Sequence, residues 1–264
     1  MQLQPAISRT SAQSWEPAPQ TLELPPGEVH IWRAKLSSQR AVVEEFWPLL
    51  SAEEQTRASR FQFPEDSDRY ILAHGILRDI LLRYRPLVPT PLCFSLGPKG
   101  QPYLRQPSGG LPLRFNLSHS RSLVVLAITL EHKIGIDVEP TFSTADWRAI
   151  ANRFFSAMEC QYLFALPETD RASAFLSLWT QKEAYAKARG EGLSIPLDSF
   201  SILASHDGTL RVDDSYDSAA RLNWSFLGLT PDEHHLGALA LKGHPARVLF
   251  WDCSLAHSHT SRCL

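Results

Sequence analysis

The chain has 264 residues, 44% of them hydrophobic and 10% aromatic, which is enough apolar material to bury a core in one large domain or two small ones and too much for a disordered chain. A formal charge of −2 and a pI near 6.6 exclude global attraction to nucleic acid or to an anionic membrane, so phosphate recognition has to come from a local cluster. Cys93, Cys160, Cys253 and Cys263 show neither CxxC spacing nor a His-rich neighbourhood. This argues against structural zinc and a disulfide framework and fits a reducing cytoplasm. No run approaches the roughly 18 apolar residues that span a bilayer, and the N-terminus lacks a basic-then-apolar signal pattern, so the expectation is a soluble, unexported protein.

In chain order, residues 1–26 are rich in Pro, Ser and Gln and read as a flexible leader outside the fold. Val29–Trp32 reads as a short alternating strand, followed by a helical region through Glu45 and Leu50. Ser51 with Glu54 has the form of a capping box opening a helix toward Phe61. From Asp66 to Tyr84, Ile71, Leu72, Ile76, Leu77, Ile80 and Leu81 recur at helical spacing, and Pro86 and Pro89 close the segment. Gly97, Pro98, Gly100, Pro102, Pro107, Gly109 and Gly110 then cut the chain into turns. Leu123–Thr129 and Ile134–Val138 read as strands, either a hairpin or two neighbours. Beyond them come helices over Ala149–Leu166 and Ala172–Lys187 and strands over Leu236–Leu241 and Arg247–Trp251.

The order is mixed α/β and occurs twice: Asp68-Arg69 and Asp170-Arg171 each open a long helix, and the similar strands LVVLAIT and LGALALK each follow. Two copies of this length make a pair of lobes and exclude a solenoid. The expected organisation is a leader over 1–26, α/β lobes over 27–132 and 133–254, and a tail over 255–264.

Three segments carry chemistry. In Lys133-Ile-Gly-Ile-Asp-Val-Glu139 the strand period sends Ile134, Ile136 and Val138 to one face and Gly135, Asp137 and Glu139 to the other. Two carboxylates side by side repel unless a cation sits between them. Oxygen-only ligands point to Mg²⁺ or Mn²⁺ and away from Zn²⁺, although DxE alone is equally a solvated edge strand with two surface acids. Phe175, Trp179, Glu183 and Lys187 form a helical stripe, aromatic in its first half and charged in its second. Alone, Glu183 and Lys187 are only an i,i+4 pair. The helix exits through Arg189-Gly190-Glu191-Gly192, a cap or a ligand loop. Finally, Arg114-Phe-Asn-Leu-Ser-His-Ser120 offers Asn116, Ser118 and His119 to an anionic oxygen, or forms a turn that satisfies itself. The turn Gly97–Pro102, with Lys99, and the helix residues Arg57, Arg60 and Arg69 add positive charge.

Taken together, FNLSHS at 115–120, GIDVE at 135–139 and W-x₂-KEA-x₂-KA-x-G-x-G at 179–192 resemble the signature set of the Sfp-type 4'-phosphopantetheinyl transferases, as do Arg153–Ser156 and Leu197–Phe200. The resemblance covers roughly residues 29–252. It implies an α/β (α+β) fold of two similar lobes related by a pseudo-twofold axis, with coenzyme A in the cleft between them.

By that resemblance Asp137, Glu139 and Glu183 form the acidic Mg²⁺ cluster, Mn²⁺ being a substitute, and Glu183 deprotonates the acceptor serine directly or through water. Lys187 contacts the pyrophosphate, and Ser118 and His119 contact the nucleotide's phosphates. Arg57, with Arg69 as helper, lies near the 3′-phosphate. Gly100 and Pro102 match a Gly-Lys-Pro turn near the adenine, with Gln101 in place of its lysine and Lys99 as a neighbouring substitute. The implied activity is transfer of 4'-phosphopantetheine from coenzyme A to a serine of an acyl or peptidyl carrier protein, releasing adenosine 3′,5′-bisphosphate. Mg²⁺, Lys187 and His119 neutralise charge in that step. The family's two-lobed members of this length usually work as monomers, while the cysteine usage, charge and lack of a long apolar run give the expectation of a cytoplasmic protein that binds neither nucleic acid nor membrane. The open alternatives are a catalytically silent coenzyme A or carrier-binding module and a Mg²⁺-dependent nuclease; the absence of a long basic stripe counts against the nuclease.

Overall fold

The computed structural model describes residues 13–36, 40–85, 87–97, 99–106, 111–142, 146–190, 195–205, 209–214 and 223–253. The expectations for Pro98, Pro107, Gly109, Gly110, Glu191, Gly192 and the 255–264 tail lie outside them.

The first half opens with β1 (Glu16–Pro17) and β2 (Glu28–Lys35). Helices α1 (Arg40–Phe46), α2 (Ala52–Ala58) and α3 (Pro64–Leu82) follow, with a 3₁₀ turn over Trp47–Leu49. The capping box is present: Ser51 Oγ accepts from the Glu54 amide at 3.2 Å, and the Glu54 carboxylate accepts from the Ser51 amide at 2.8 Å. Pro64 starts α3 at a position where its missing N–H costs nothing, and Glu65 and Asp66 complement the helix N-terminus. A ribbon of β3 (Phe94–Leu96) and β4 (Pro102–Leu104) leads to the hairpin β5 (Leu113–Ser120) and β6 (Leu123–Leu130).

The second half repeats this order: strand β7 (Ile134–Pro140), helices α4 (Trp147–Phe154), α5 (Ala157–Ala165) and α6 (Glu168–Arg189), ribbon β8 (Phe200–Ala204) with β9 (Leu210–Asp214), and hairpin β10 (Trp224–Asp232) with β11 (His235–Lys242). In each half the strand just before the helices pairs antiparallel with the last strand of the hairpin, β2 with β6 and β7 with β11. The closing strand β12 (Arg247–Asp252) runs back to pair parallel with β1 and β2. The five-stranded sheet is therefore ordered β1-β12-β2-β6-β5 and the three-stranded sheet β10-β11-β7.

Strand alternation divides the core. Val29, Ile31, Val125 and Ala127 of the first sheet pack with Ile134, Ile136, Val138, Leu229 and Leu239 of the second, while Trp32, Ala34, Val124, Leu126 and Ile128 face α1 and α3. Two sheets thus share one apolar layer and each carries its helices outside it.

Several expectations change. From residue 13 onward the leader is part of the fold: Trp15 packs edge-on against Phe250 at 5.2 Å, Glu16–Pro17 pair with β12, and Leu22 and Leu24 are buried. Its few apolar residues are spent on existing surfaces, which composition does not register. The strand Arg247–Asp252, assigned to the second lobe, joins the first sheet. β6 and β7 form no hairpin, because each has a different antiparallel partner; they meet by packing. The helix expected over Ala149–Leu166 breaks at Phe155, where Ser156 and Glu159 form a second capping box. The polar run 114–120 is strand β5, and β8, β9 and β10 had no matching expectation.

A fully buried ion pair ties α5, α6 and β8 together. Lys182 Nζ donates to Glu159 Oε2 and to the Phe200 carbonyl, both at 2.7 Å, and sits 4.1 Å from the Phe200 ring centre. Glu159 also accepts from the amides of Ile202 at 2.8 Å and Ser156 at 2.9 Å. Burial pushes the lysine pKa down and the carboxylate beside it opposes that shift. Removing one partner strands a charge in the core, so Lys182→Ala is expected to lower unfolding free energy by roughly 3–5 kcal/mol in urea denaturation. Lys182→Met, which restores volume but not charge, should lie close to Lys182→Ala; full recovery would show that packing rather than the ion pair sets the cost.

Candidate active site

The site is built where α6 crosses β7. A Cβ on Gly135 would overlap the Ala184 carbonyl and lie 2.5 Å from the Ala188 amide, so only glycine lets the two backbones approach this closely. With α6 against that face of β7, Glu183 and Lys187 come beside Asp137 and Glu139. The helix ends just beyond, at Gly190, whose φ of +75° is the left-handed turn glycine adopts without strain.

Lys187 Nζ donates to Asp137 Oδ1 at 2.7 Å, Ser118 Oγ at 3.1 Å and the Ile136 carbonyl at 3.2 Å. Ser118 Oγ donates to the same Asp137 Oδ1 at 3.0 Å. Asp137 Oδ2 is buried and has no hydrogen-bond partner among the described residues. Burial raises the pKa of Glu139, and the Asp137 charge adds to it, with Lys187 and a hydrogen bond from Trp179 working the other way. Glu183 is likewise raised by burial and by Asp137, and Lys187 opposes the shift. One ammonium is thus set against three acids.

An orphaned buried carboxylate oxygen among oxygen donors is what a hard divalent cation satisfies. Among the described residues no three His, Cys, Asp or Glu side chains stand ready-made as a metal set. Magnesium fits that condition, since it binds through one or two carboxylates and takes its other ligands from phosphate and water.

A second group lies across β5. His119 points to the solvent side, and its pKa is lowered by partial desolvation and then by Lys187, Arg69 and His74. His74 Nδ1 contacts Glu54 Oε1 at 3.0 Å, and its ring lies 4.0 Å from that of Tyr70, over which Arg57 sits at 5.5 Å. Burial works to raise Glu54, but His74, the Ser51 amide and Arg78 hold its pKa at about 2. A cavity of about 100 Å³ lined by Ala73, His74, Leu77, Pro102, Phe115, Asn116 and Leu117 opens beside this group.

Asp137, Glu139, Glu183, Lys187 and Ser118 are therefore brought together. Arg69 is ion-paired to Asp66, and its charge helps lower the His119 pKa. Arg57 lies farther out, linked through Tyr70 and His74. In the turn, Gly100 has φ +82°, and Gln101 Oε1 lies 3.1 Å from where a Cβ of Gly190 would stand, so the turn meets the end of α6. Lys99 is exposed on it. Tyr70, His74 and the bond from the Ile136 amide to Asn116 Oδ1 at 2.8 Å were missed. The spacing Asp66, Tyr70, His74, Arg78 is an i,i+4 polar stripe along α3, and that signal was available.

With the geometry in place, family comparison is unambiguous. Residues 32–131 match the model of the 4'-phosphopantetheinyl transferase N-terminal region, and residues 133–240 match that of the 4'-phosphopantetheinyl transferase superfamily. The chain is 34% identical over 238 residues to the 4'-phosphopantetheinyl transferase HetI of Nostoc, covering 90% of this chain and 98% of that one. It is 34% identical over 171 residues to the transferase Sfp of Bacillus subtilis, covering 64% and 73%. Against the solved holo-[acyl-carrier-protein] synthase of Thermotoga maritima the likeness spans 42% of this chain and 63% of that one, at 19% identity and a TM-score of 0.35. The chain belongs to the 4'-phosphopantetheinyl transferase superfamily.

Because the folded-state pKa values of Glu139 and Glu183 are raised, these groups favour the fold when protonated. The penalty is absent below the unfolded carboxylate pKa and grows as pH rises through the folded values. In EDTA, Glu183→Gln should therefore melt above the wild type at pH 7–8, with the gain vanishing toward pH 4; thermal melts across that range check it, and an unchanged or lower melting point at pH 8 would contradict the repulsion.

Proposed function

We propose that the protein transfers the 4'-phosphopantetheine arm of coenzyme A to a serine of a carrier protein, with adenosine 3′,5′-bisphosphate as the leaving group. The observation that carries this is the convergence of Asp137, Glu139, Glu183 and Lys187 at the α6–β7 crossing, in a chain of this family. Mg²⁺, held by Asp137 with Glu139 or Glu183 as a second carboxylate, would supply charge neutralisation on the pyrophosphate.

The remaining roles belong to side chains. Lys187 binds the pyrophosphate, and His119, Arg69 and the more distant Arg57 draw the nucleotide's phosphates to the opposite side of the cleft. The turn at Gly100–Pro102 with Gln101 borders the adenine, and Lys99 supplies charge at its rim. Glu183 takes the serine proton as the oxygen attacks phosphorus and the bond to the bisphosphate breaks. Its pKa, raised by burial and by Asp137, makes it a stronger base than an ordinary glutamate. Free thiols at Cys93, Cys160 and Cys253 support a cytoplasmic setting, and among the described residues no helix is long and apolar enough to cross a membrane. We read the working form as a monomer.

Intact-mass analysis of an apo carrier after incubation with the protein, coenzyme A and Mg²⁺ tests this. A gain of one phosphopantetheine is expected, and it should be absent with EDTA and with Asp137→Ala. Glu183→Gln should abolish transfer while coenzyme A binding by calorimetry persists. Coenzyme A binding without any mass gain across several carrier types would favour the silent binding module instead.

A further inference from the structure

The bonds around Ser118 point to a different task from a phosphate contact. Ser118 and His119 are neighbours on β5, so their side chains leave opposite faces of the strand. His119 is exposed, whereas Ser118 is 6% exposed and turned toward β7. A hydroxyl has one proton to give, and Ser118 gives it to Asp137 Oδ1 at 3.0 Å while accepting from Lys187 at 3.1 Å. Two residues earlier on the same face, Asn116 is 9% exposed and its Oδ1 accepts from the Ile136 amide at 2.8 Å.

β5 and β7 belong to different sheets and share no backbone ladder. Side chains of β5 thus do what strand pairing does elsewhere: Asn116 takes the amide just before Asp137, and Ser118 takes one oxygen of its carboxylate. With Oδ1 held by Ser118 and Lys187, Oδ2 is the oxygen left without a partner among the described residues.

We propose that Asn116 and Ser118 are positioning residues that clamp β7 across the sheet boundary and fix the Asp137 carboxylate so that Oδ2 is presented to the divalent cation. This rests on the reading of the site as one that binds coenzyme A with such a cation. Groups behind a metal ligand act on metal affinity, typically by 10–100-fold, whereas a phosphate contact acts on coenzyme A itself.

Two affinities separate these roles: Mn²⁺ by paramagnetic resonance at saturating coenzyme A, and coenzyme A by calorimetry in EDTA. For Ser118→Ala the expected result is an Mn²⁺ affinity weakened on the order of tenfold or more, with the EDTA affinity for coenzyme A within about twofold of the wild type. Asn116→Ala should weaken Mn²⁺ in the same way from a residue whose bond is to the Ile136 amide, and near-ultraviolet circular dichroism monitors the fold of both variants. A Ser118→Ala protein that loses coenzyme A affinity in EDTA, or keeps its Mn²⁺ affinity, overturns the assignment. Wild-type protein binding neither probe would sink the functional reading itself, a different result from wild-type binding of both with unaltered variants.

Discussion

Everything at the site depends on how closely α6 can lie on β7, and Gly135 sets that distance. A methyl group there would meet the Ala184 carbonyl and the Ala188 amide, and a helix lifted off the strand would carry Glu183 and Lys187 away from Asp137. Small residues answer it from the helix side: Ala184 and Ala188 flank the crossing, and both are buried. The interval from Glu183 to Lys187 is one helical turn, so a single close approach delivers a carboxylate and an ammonium to the same strand face. The crossing is a packing constraint first and a chemical arrangement as a result.

Adjacent residues on α6 illustrate two treatments of charge. Lys182 points into the core and is satisfied by Glu159 and the Phe200 carbonyl. Glu183, on the next position, lies beside β7, where Asp137 repels it and Lys187 opposes that repulsion. The first arrangement anchors the helix to α5 and β8. The second leaves more negative charge than the protein itself neutralises, a cost that cation binding would remove. Stability on one face of the helix allows the other to be electrostatically unfavourable.

Much of this was legible in the sequence. Period-two alternation in 134–139 correctly separated the apolar face from Gly135, Asp137 and Glu139, because β7 has a core on one side and α6 on the other. The capping box at Ser51 and the long periodic helices are local signals and held. What failed was non-local. In the run 114–120, Phe115 and Leu117 alternate with Asn116 and Ser118, but the polar Ser118-His119-Ser120 end reads equally as a turn, and its polar face is explained only by bonds to another sheet. The N-terminal segment contributes few apolar residues, and Trp15 finds Phe250, which is close only after β12 has crossed back to the first sheet. A second capping box at Ser156 was as readable as the first and was overlooked in a stretch that seemed continuously helical.

The near-neutral total charge conceals a separation that the fold creates. Acids gather on β7 and on α6 of the second half, while Arg57, Arg69, His74 and His119 gather on α2, α3 and β5 of the first. The two sets meet because β5 and β7 lie side by side, and Lys187 reaches over from α6 to stand between them. The acids of β7 and α6 thus face a side of the first half on which Arg57 and Arg69 carry the fixed positive charge, while partial desolvation and Lys187 hold the His119 pKa down. That juxtaposition arises from the meeting of the two halves of the chain, and neither half provides it alone.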